Sequence, residues 1–277
     1  MRAAESGAYR PAQLAALVLD WAGTTVDYGS RAPVAVFVEV FRRRGVEISI
    51  AQARAPMGLE KRDHIRAIAA EPEIAARWQA VHNRPWNEDD IAAMYADSLL
   101  LQISVVGDYG ELTPGTPALL AACRERGLKI GSTTGYSRAI MERLAPVAAA
   151  QGYLPDTIIC PEDVGAGRPA PFMIWRALMK LQVFPAAAAL VVGDTVPDML
   201  AGRYAGAWTV GLSMSGNEFG LHPDEIAVLK PEEIAQRTGR IAARMQAAGA
   251  HYVVNDLSEL LPIIELIDQR LAAGDMP

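Results

Sequence analysis

The chain has 277 residues, 51% of them hydrophobic and 21% charged, with a formal net charge of −6. That composition builds a packed core, excludes a disordered chain, and suits one large domain or one domain carrying a sizeable insertion. Acidic and basic residues are mixed along the chain, so nothing points to a nucleic-acid or anionic-membrane partner, and an anionic substrate has to be drawn in by a local metal or Arg/Lys site. Met1–Gln13 is polar and holds no apolar signal core. No apolar run approaches the ~20 residues of a membrane helix. Cys123 and Cys160 are too few for a disulfide framework and lack metal-ligand spacing. They read as buried thiols in a reducing compartment, and the expectation is a soluble, cytoplasmic protein.

In chain order, Leu14–Leu19 is a continuous apolar run ending at Asp20. From Pro33 to about Ile103 helical periodicity dominates, over Pro33–Arg44, Ser49–Ala55, Lys61–Ala70, Pro72–His82 and Glu88–Leu101, with no convincing strand. After it, short apolar runs at Leu128–Ser132, Thr157–Cys160, Leu190–Val192, Trp208–Leu212 and Tyr252–Val254 alternate with amphipathic stretches. Those stretches are Thr116–Arg126, Ser137–Ala150, Pro171–Leu181, Val196–Ala205, Glu232–Ala248 and Leu257–Ala272. Alternation of this kind predicts an α/β fold with a doubly wound, Rossmann-like parallel sheet. A structureless loop of the intervening length is implausible, so residues 31–103 are expected to form an inserted helical cap domain, with residues 1–30 and 104–277 as the core.

Four constellations fall just after strand-like runs, where ligands bind in such sheets. In Asp20-Trp21-Ala22-Gly23-Thr24-Thr25-Val26-Asp27 a carboxylate stands beside a Gly-Thr turn. The turn's N–H groups, at Gly23 and Thr24, can hold phosphoryl oxygens while the carboxylate attacks phosphorus. Ser132-Thr133-Thr134-Gly135-Tyr136 offers hydroxyls and N–H groups, and Gly167-Arg168-Pro169 a fixed cation. In Gly193-Asp194-Thr195-Val196-Pro197-Asp198 two carboxylates four apart can face one hard cation such as Mg²⁺. Each also has a plainer reading as a turn, a helix cap or a first-turn acid. Their fixed order is what carries weight.

These four ordered sites resemble the motifs of the haloacid dehalogenase superfamily, and the resemblance spans the whole chain. It implies that Asp20 is the nucleophile. It also implies that Mg²⁺ is held by Asp20, the Ala22 carbonyl and Asp194 with support from Asp198, and that Thr134 and Arg168 hold the phosphoryl group. Phosphatases and phosphomutases of the superfamily carry a second Asp two residues after the nucleophile as general acid/base. Here that position is Ala22, so an alkoxide leaving group lacks a proton donor from there.

The helical insertion offers another device in Met57-Gly58-Leu59-Glu60-Lys61-Arg62-Asp63-His64, where Lys61 and His64 share a helix face. A lysine of lowered pKa condenses with an aldehyde, and the protonated imine accepts the electrons released when a carbon–phosphorus bond breaks. The missing acid and the present lysine explain each other. These residues resemble the phosphonoacetaldehyde hydrolase branch of the superfamily, which implies C–P cleavage of phosphonoacetaldehyde to acetaldehyde and phosphate. It further implies Lys61 as the Schiff-base residue, His64 assisting proton transfer at it, Met57 and Tyr136 lining the substrate, and a homodimer formed through the cap. Val36, Val40 and Phe41 are candidates for that dimer face, and could equally pack inside the cap; the resemblance favours the dimer. Two alternatives stand: a phosphatase or phosphomutase in which Lys61 only binds an anion, and a non-catalytic phosphometabolite-binding module.

Overall fold

The computed structural model describes residues 11–277; most of the polar Met1–Gln13 stretch therefore lies outside the described residues. Six parallel strands form one sheet: β1 (Ala16–Leu19), β2 (Lys129–Thr133), β3 (Thr157–Ile159), β4 (Ala189–Gly193), β5 (Trp208–Leu212) and β6 (Tyr252–Val254). Their spatial order is β3-β2-β1-β4-β5-β6. The middle strands β1 and β4 are buried along their whole length, which is why their sequences are continuous apolar runs rather than alternating ones.

The register decides where chemistry collects. Leu19 pairs with Ser132 on one side and Val192 on the other, so β1, β2 and β4 end level. Asp20, Thr133 and Thr134, and Asp194 therefore emerge together at the carboxyl ends of the strands, in the crevice where the strand order reverses about β1. Helices α6 (Thr116–Glu125) and α7 (Arg138–Ala149) cover one side of the sheet together with α12 (Leu260–Ala272), around Trp21, Leu144, Tyr153 and Ile264. On the other side α8 (Phe172–Leu181) and α9 (Val196–Ala205) pack on Val18, Val191 and Ala177. Short α10 (Pro223–Ile226), which the sequence reading does not anticipate, precedes α11 (Pro231–Ala247).

Between β1 and β2 the chain forms α1 (Arg31–Arg42), α2 (Ile50–Arg54), α3 (Lys61–Ala70), α4 (Pro72–His82) and α5 (Glu88–Val105). These helices enclose a cluster of their own around Phe37, Phe41, Ile65, Ile74, Trp78 and Met94. Val36, Val40 and Phe41 belong to that interior and are at most 4% exposed, so of their two readings the structure selects packing inside the segment over a dimer face: the apolar stripe of α1 is consumed there. By length and by a mean hydropathy of 1.2, Glu88–Tyr109 is long and apolar enough to cross a membrane. Its first turn carries Glu88, Asp89 and Asp90, and its buried stripe is Ile91, Met94, Ser98 and Gln102.

Candidate active site

The turn after β1 is held from within. Thr24 and Thr25 donate their N–H groups to the Trp21 carbonyl, at 3.0 and 2.8 Å, and Gly23 donates to Val26 at 2.8 Å. Gly23 has φ +83°, and a Cβ there would fall 2.2 Å from Asp194 Oδ2, so only glycine fits. The expectation that Gly23 and Thr24 hold phosphoryl oxygens is corrected on this point: their N–H groups are spent in the turn. Thr24 instead donates its hydroxyl to Asp194 Oδ1 at 3.2 Å. Asp27 closes the turn by accepting from Arg31 and Ala32 N–H, both at 3.0 Å, and so starts α1.

Asp20, Asp194 and Asp198 each present a carboxylate oxygen within 4.8 Å of the others, all buried. Arg168, 6% exposed, lies between two of them: Nη2 is 2.5 Å from Asp20 Oδ1 and Nη1 is 2.7 Å from Asp198 Oδ1. The same Nη2 donates to Thr133 Oγ1 at 3.0 Å. Asp198 also accepts from Thr195 N–H at 3.1 Å and from the Thr195 hydroxyl at 2.5 Å. Asp194 Oδ2 accepts from Asn217 N–H at 2.7 Å. Burial pushes both Asp194 and Asp198 upward; Asp20 adds to this at both, while Arg168 works against it. Burial opposes the charge on Arg168, but Asp198 and Asp20 outweigh it and hold the guanidinium firmly protonated. Three carboxylates against one guanidinium leave excess negative charge in a dry site. An all-oxygen donor set of that kind fits Mg²⁺.

A small cavity opens over this cluster. Asp20, Ala22, Thr134, Arg168 and Asp194 line it from the sheet side, and Met57, Gly58, Leu59 and Lys61 from the helical segment, with Tyr136 alongside. Lys61 is the first residue of α3, which Glu60 caps by accepting from Arg62 and Asp63 N–H. Its Nζ lies 5.3 Å from the centre of the Phe37 ring and 5.0 Å from that of Tyr136. Burial among these rings lowers the Lys61 pKa from 10.5 to about 8, against the opposing pull of Asp20 and Glu60. An amine so placed is in part neutral near physiological pH and nucleophilic.

Gly23, Thr24, His64 and Asp198 stay outside the cavity lining. His64 is fully buried, stacks on Phe37 at 3.9 Å and bonds the Ala53 carbonyl through Nε2 at 2.8 Å. Burial and the Lys61 charge drive its pKa to about 3, so near neutrality it is an imidazole with an unpartnered Nδ1. Burial thus favours the neutral ring over the imidazolium at this position. Thr134 lines the cavity while its hydroxyl accepts from Tyr136 N–H at 3.0 Å.

The sequence reading misses Thr133, Thr195 and the loop after β5. In that loop Asn217 reaches Asp194, and Gly216 leaves no room for a Cβ, which would lie 2.3 Å from Asp194 Cβ. Arg54 of α2 ties the helical segment to the same loop, donating to Asn217 Oδ1 at 3.0 Å and to the Gly220 carbonyl at 3.0 Å. The signal was available: Ser213–Asn217 follows a strand, like the four constellations that were read.

Residues 14–206 match the family model of haloacid dehalogenase-like hydrolases. A phosphonoacetaldehyde hydrolase of Syntrophobacter fumaroxidans is 44% identical over 95% of both chains. One from Klebsiella pneumoniae is 46% identical over 96% of this chain and 99% of its own. The chain belongs to the phosphonoacetaldehyde hydrolase family of haloacid dehalogenase-like hydrolases. A crystal structure of a phosphonoacetaldehyde hydrolase-like protein from Oleispira antarctica superposes with a TM-score of 0.97 at 36% identity, covering all of both chains. Membership in this phosphonoacetaldehyde hydrolase family thus extends over the helical segment as well as the sheet, and so over both walls of the cavity.

Proposed function

We propose that the chain hydrolyses the carbon–phosphorus bond of phosphonoacetaldehyde to acetaldehyde and phosphate, through an imine on Lys61 and a phosphoryl group carried by Asp20. The observation that carries the reading is that Lys61 and Asp20 face one cavity whose wall has Ala22 where an acid would serve an ester. In this reading residues 31–103 act as a cap over a core of residues 1–30 and 104–277.

The neutral amine of Lys61 adds to the aldehyde carbon, and loss of water with uptake of one proton from solvent leaves a protonated imine. Arg168 and Thr134 orient the phosphonate, with Met57 and Tyr136 against the carbon end. An Asp20 oxygen forms a bond to phosphorus as the C–P bond breaks, and the released pair passes into the iminium to give an enamine. Protonation at carbon and hydrolysis free acetaldehyde and Lys61, and a second water displaces phosphate from Asp20. Mg²⁺, held by Asp20, the Ala22 carbonyl, Asp194 and Asp198, would supply positive charge to the phosphoryl oxygens. Thr24 and Asn217 hold Asp194, and Thr195 holds Asp198, in place for that role.

Incubating the protein with phosphonoacetaldehyde and Mg²⁺ tests this. Equal release of acetaldehyde and phosphate, lost by about 10⁴-fold or more in Lys61→Arg, supports the reading, since Arg keeps the charge but cannot condense. Release unaffected by that change would sink it. The same proposal places the enzyme in the cytoplasm, in line with two free buried cysteines. It also makes the enzyme a homodimer through the cap. With Val36, Val40 and Phe41 buried, Ile50, Val81 and Leu100 are the exposed apolar residues of the helical segment left for that contact. Sedimentation of Leu100→Lys, expected to shift towards monomer, checks it.

A further inference from the structure

Lys61 has two sides. One faces the catalytic cavity, and the other helps close a smaller chamber behind it, with room for about one water. Phe37, Tyr95, Leu99 and Ile140 supply its apolar walls, and Ser98, Gln102 and Ser137 its polar ones. Gln102 is 2% exposed, and its Nε2 has no hydrogen-bond partner; the Ser137 Oγ is likewise buried and unpartnered. Ser98 Oγ donates to the Tyr95 carbonyl at 2.7 Å and keeps its own acceptor capacity. Ser137 begins α7 but makes no side-chain capping bond, so local helix chemistry does not account for its hydroxyl. Unsatisfied polar groups converging on a small enclosed space are what a buried water needs, since such a water makes about three hydrogen bonds.

We propose that this chamber is a water site serving Lys61, and that Gln102 and Ser137 are positioning residues for that water. The inference rests on the imine reading above. Imine formation expels one water at the lysine, and imine hydrolysis consumes one at the same carbon. Aromatic rings flank the amine on both sides, Phe37 and Tyr136, so water there has to be held rather than drawn from bulk. After C–P cleavage the lysine carries a protonated ethylidene imine. The held water forms a C–O bond to the imine carbon as the C=N π pair returns to nitrogen. One proton passes from that oxygen to nitrogen; the C–N bond then breaks with its pair staying on Lys61 as the remaining hydroxyl proton also passes to the amine, and acetaldehyde leaves. One iminium and one water become one aldehyde and one ammonium, so atoms and charge balance.

The test follows both products through the first turnover in wild type, Gln102→Met and Ser137→Ala, with borohydride added at intervals and the Lys61 peptide weighed. Expected in both variants is phosphate formation close to the wild-type rate, acetaldehyde release slowed by about tenfold or more, and a reduced ethyl adduct accumulating on Lys61 between the two. Ser137→Thr, which keeps the hydroxyl, is expected to restore synchronous release. Gln102→Met should melt no lower than wild type, because it removes unpaired buried donors; a purely structural role for Gln102 predicts the opposite. Synchronous release in both variants, with a trappable wild-type adduct, overturns this inference alone. No adduct in wild type overturns the imine reading and this inference with it.

Discussion

On the sheet side of the cavity each charged group is tied to another: Arg168 to Asp20 and Asp198, and Asp194 to Thr24 and Asn217. On the helical side the Lys61 amine lies over the Phe37 and Tyr136 rings, and among the described residues the nearby polar atoms His64 Nδ1, Tyr136 Oη and Gln102 Nε2 are unpartnered. The first arrangement holds charges still, as the proposed metal and phosphoryl binding requires. The second withholds partners, and the lack of partners makes a lysine reactive, because burial disfavours its charged form. One cavity thus joins a saturated electrostatic site to an unsaturated one, and the proposed mechanism assigns one half of the reaction to each.

The sharpest way to break the comparison is to disable one wall and assay the other. Asp20→Asn is expected to abolish phosphate release, by about 10⁴-fold or more, while borohydride still traps phosphonoacetaldehyde on Lys61. Lys61→Arg should lose both. Loss of trapping in Asp20→Asn would mean that the walls do not act separately.

A smaller effect follows from the seam between them. Gly58, at φ +94°, sits against Thr195, and a Cβ would lie 2.3 Å from Thr195 Oγ1. Gly58→Ala should push Lys61 away from Asp20 and lower kcat/KM by about 10²-fold, with the fold's melting point little changed. An unchanged kcat/KM would show that the segment docks with room to spare.

Thr24→Val tests the saturated wall alone. Removing the hydroxyl that orients Asp194 should raise the Mg²⁺ concentration for half-maximal activity by about 10- to 100-fold, leaving KM for substrate nearly constant. A rise in KM instead would return Thr24 to substrate binding.

The smallest effect belongs to pH. Lys61 has its pKa lowered to about 8 by burial, with Asp20, Glu60 and Asp27 opposing and Arg168 assisting. For a base, the neutral reactive form grows as pH rises through that value. The rate of adduct formation should therefore climb about tenfold between pH 7 and 9 and then level, rather than climbing on towards 10.5. A rise continuing past pH 10 would mean that burial does not tune this lysine.

Much of the fold is legible in the sequence because it depends on local pattern. The run Leu14–Leu19 contains β1, Tyr252–Val254 is β6, and Lys61–Ala70 is α3 to the residue, since buried strands and amphipathic helices write their periods directly into the chain. Asp20, Ala22 and Asp194 stand out because they follow strands and Lys61 because it opens a helix, while Arg168, in the loop between β3 and α8, stands out only through the order of the four constellations. Tertiary structure decided the rest. Thr24 looks like an anion binder until β4 brings Asp194 against it, and Val36, Val40 and Phe41 look like a contact face until four more helices close over them. The loop reaching Asp194 through Asn217 lies far along the chain from Gly23, and the chamber at Gln102 exists only where α1, α3, α5 and α7 meet. Local pattern determines which elements form and which faces are apolar. Which buried polar atoms find partners is a property of the assembled packing, and in this protein that property separates the carboxylate–guanidinium wall of the cavity from the lysine wall.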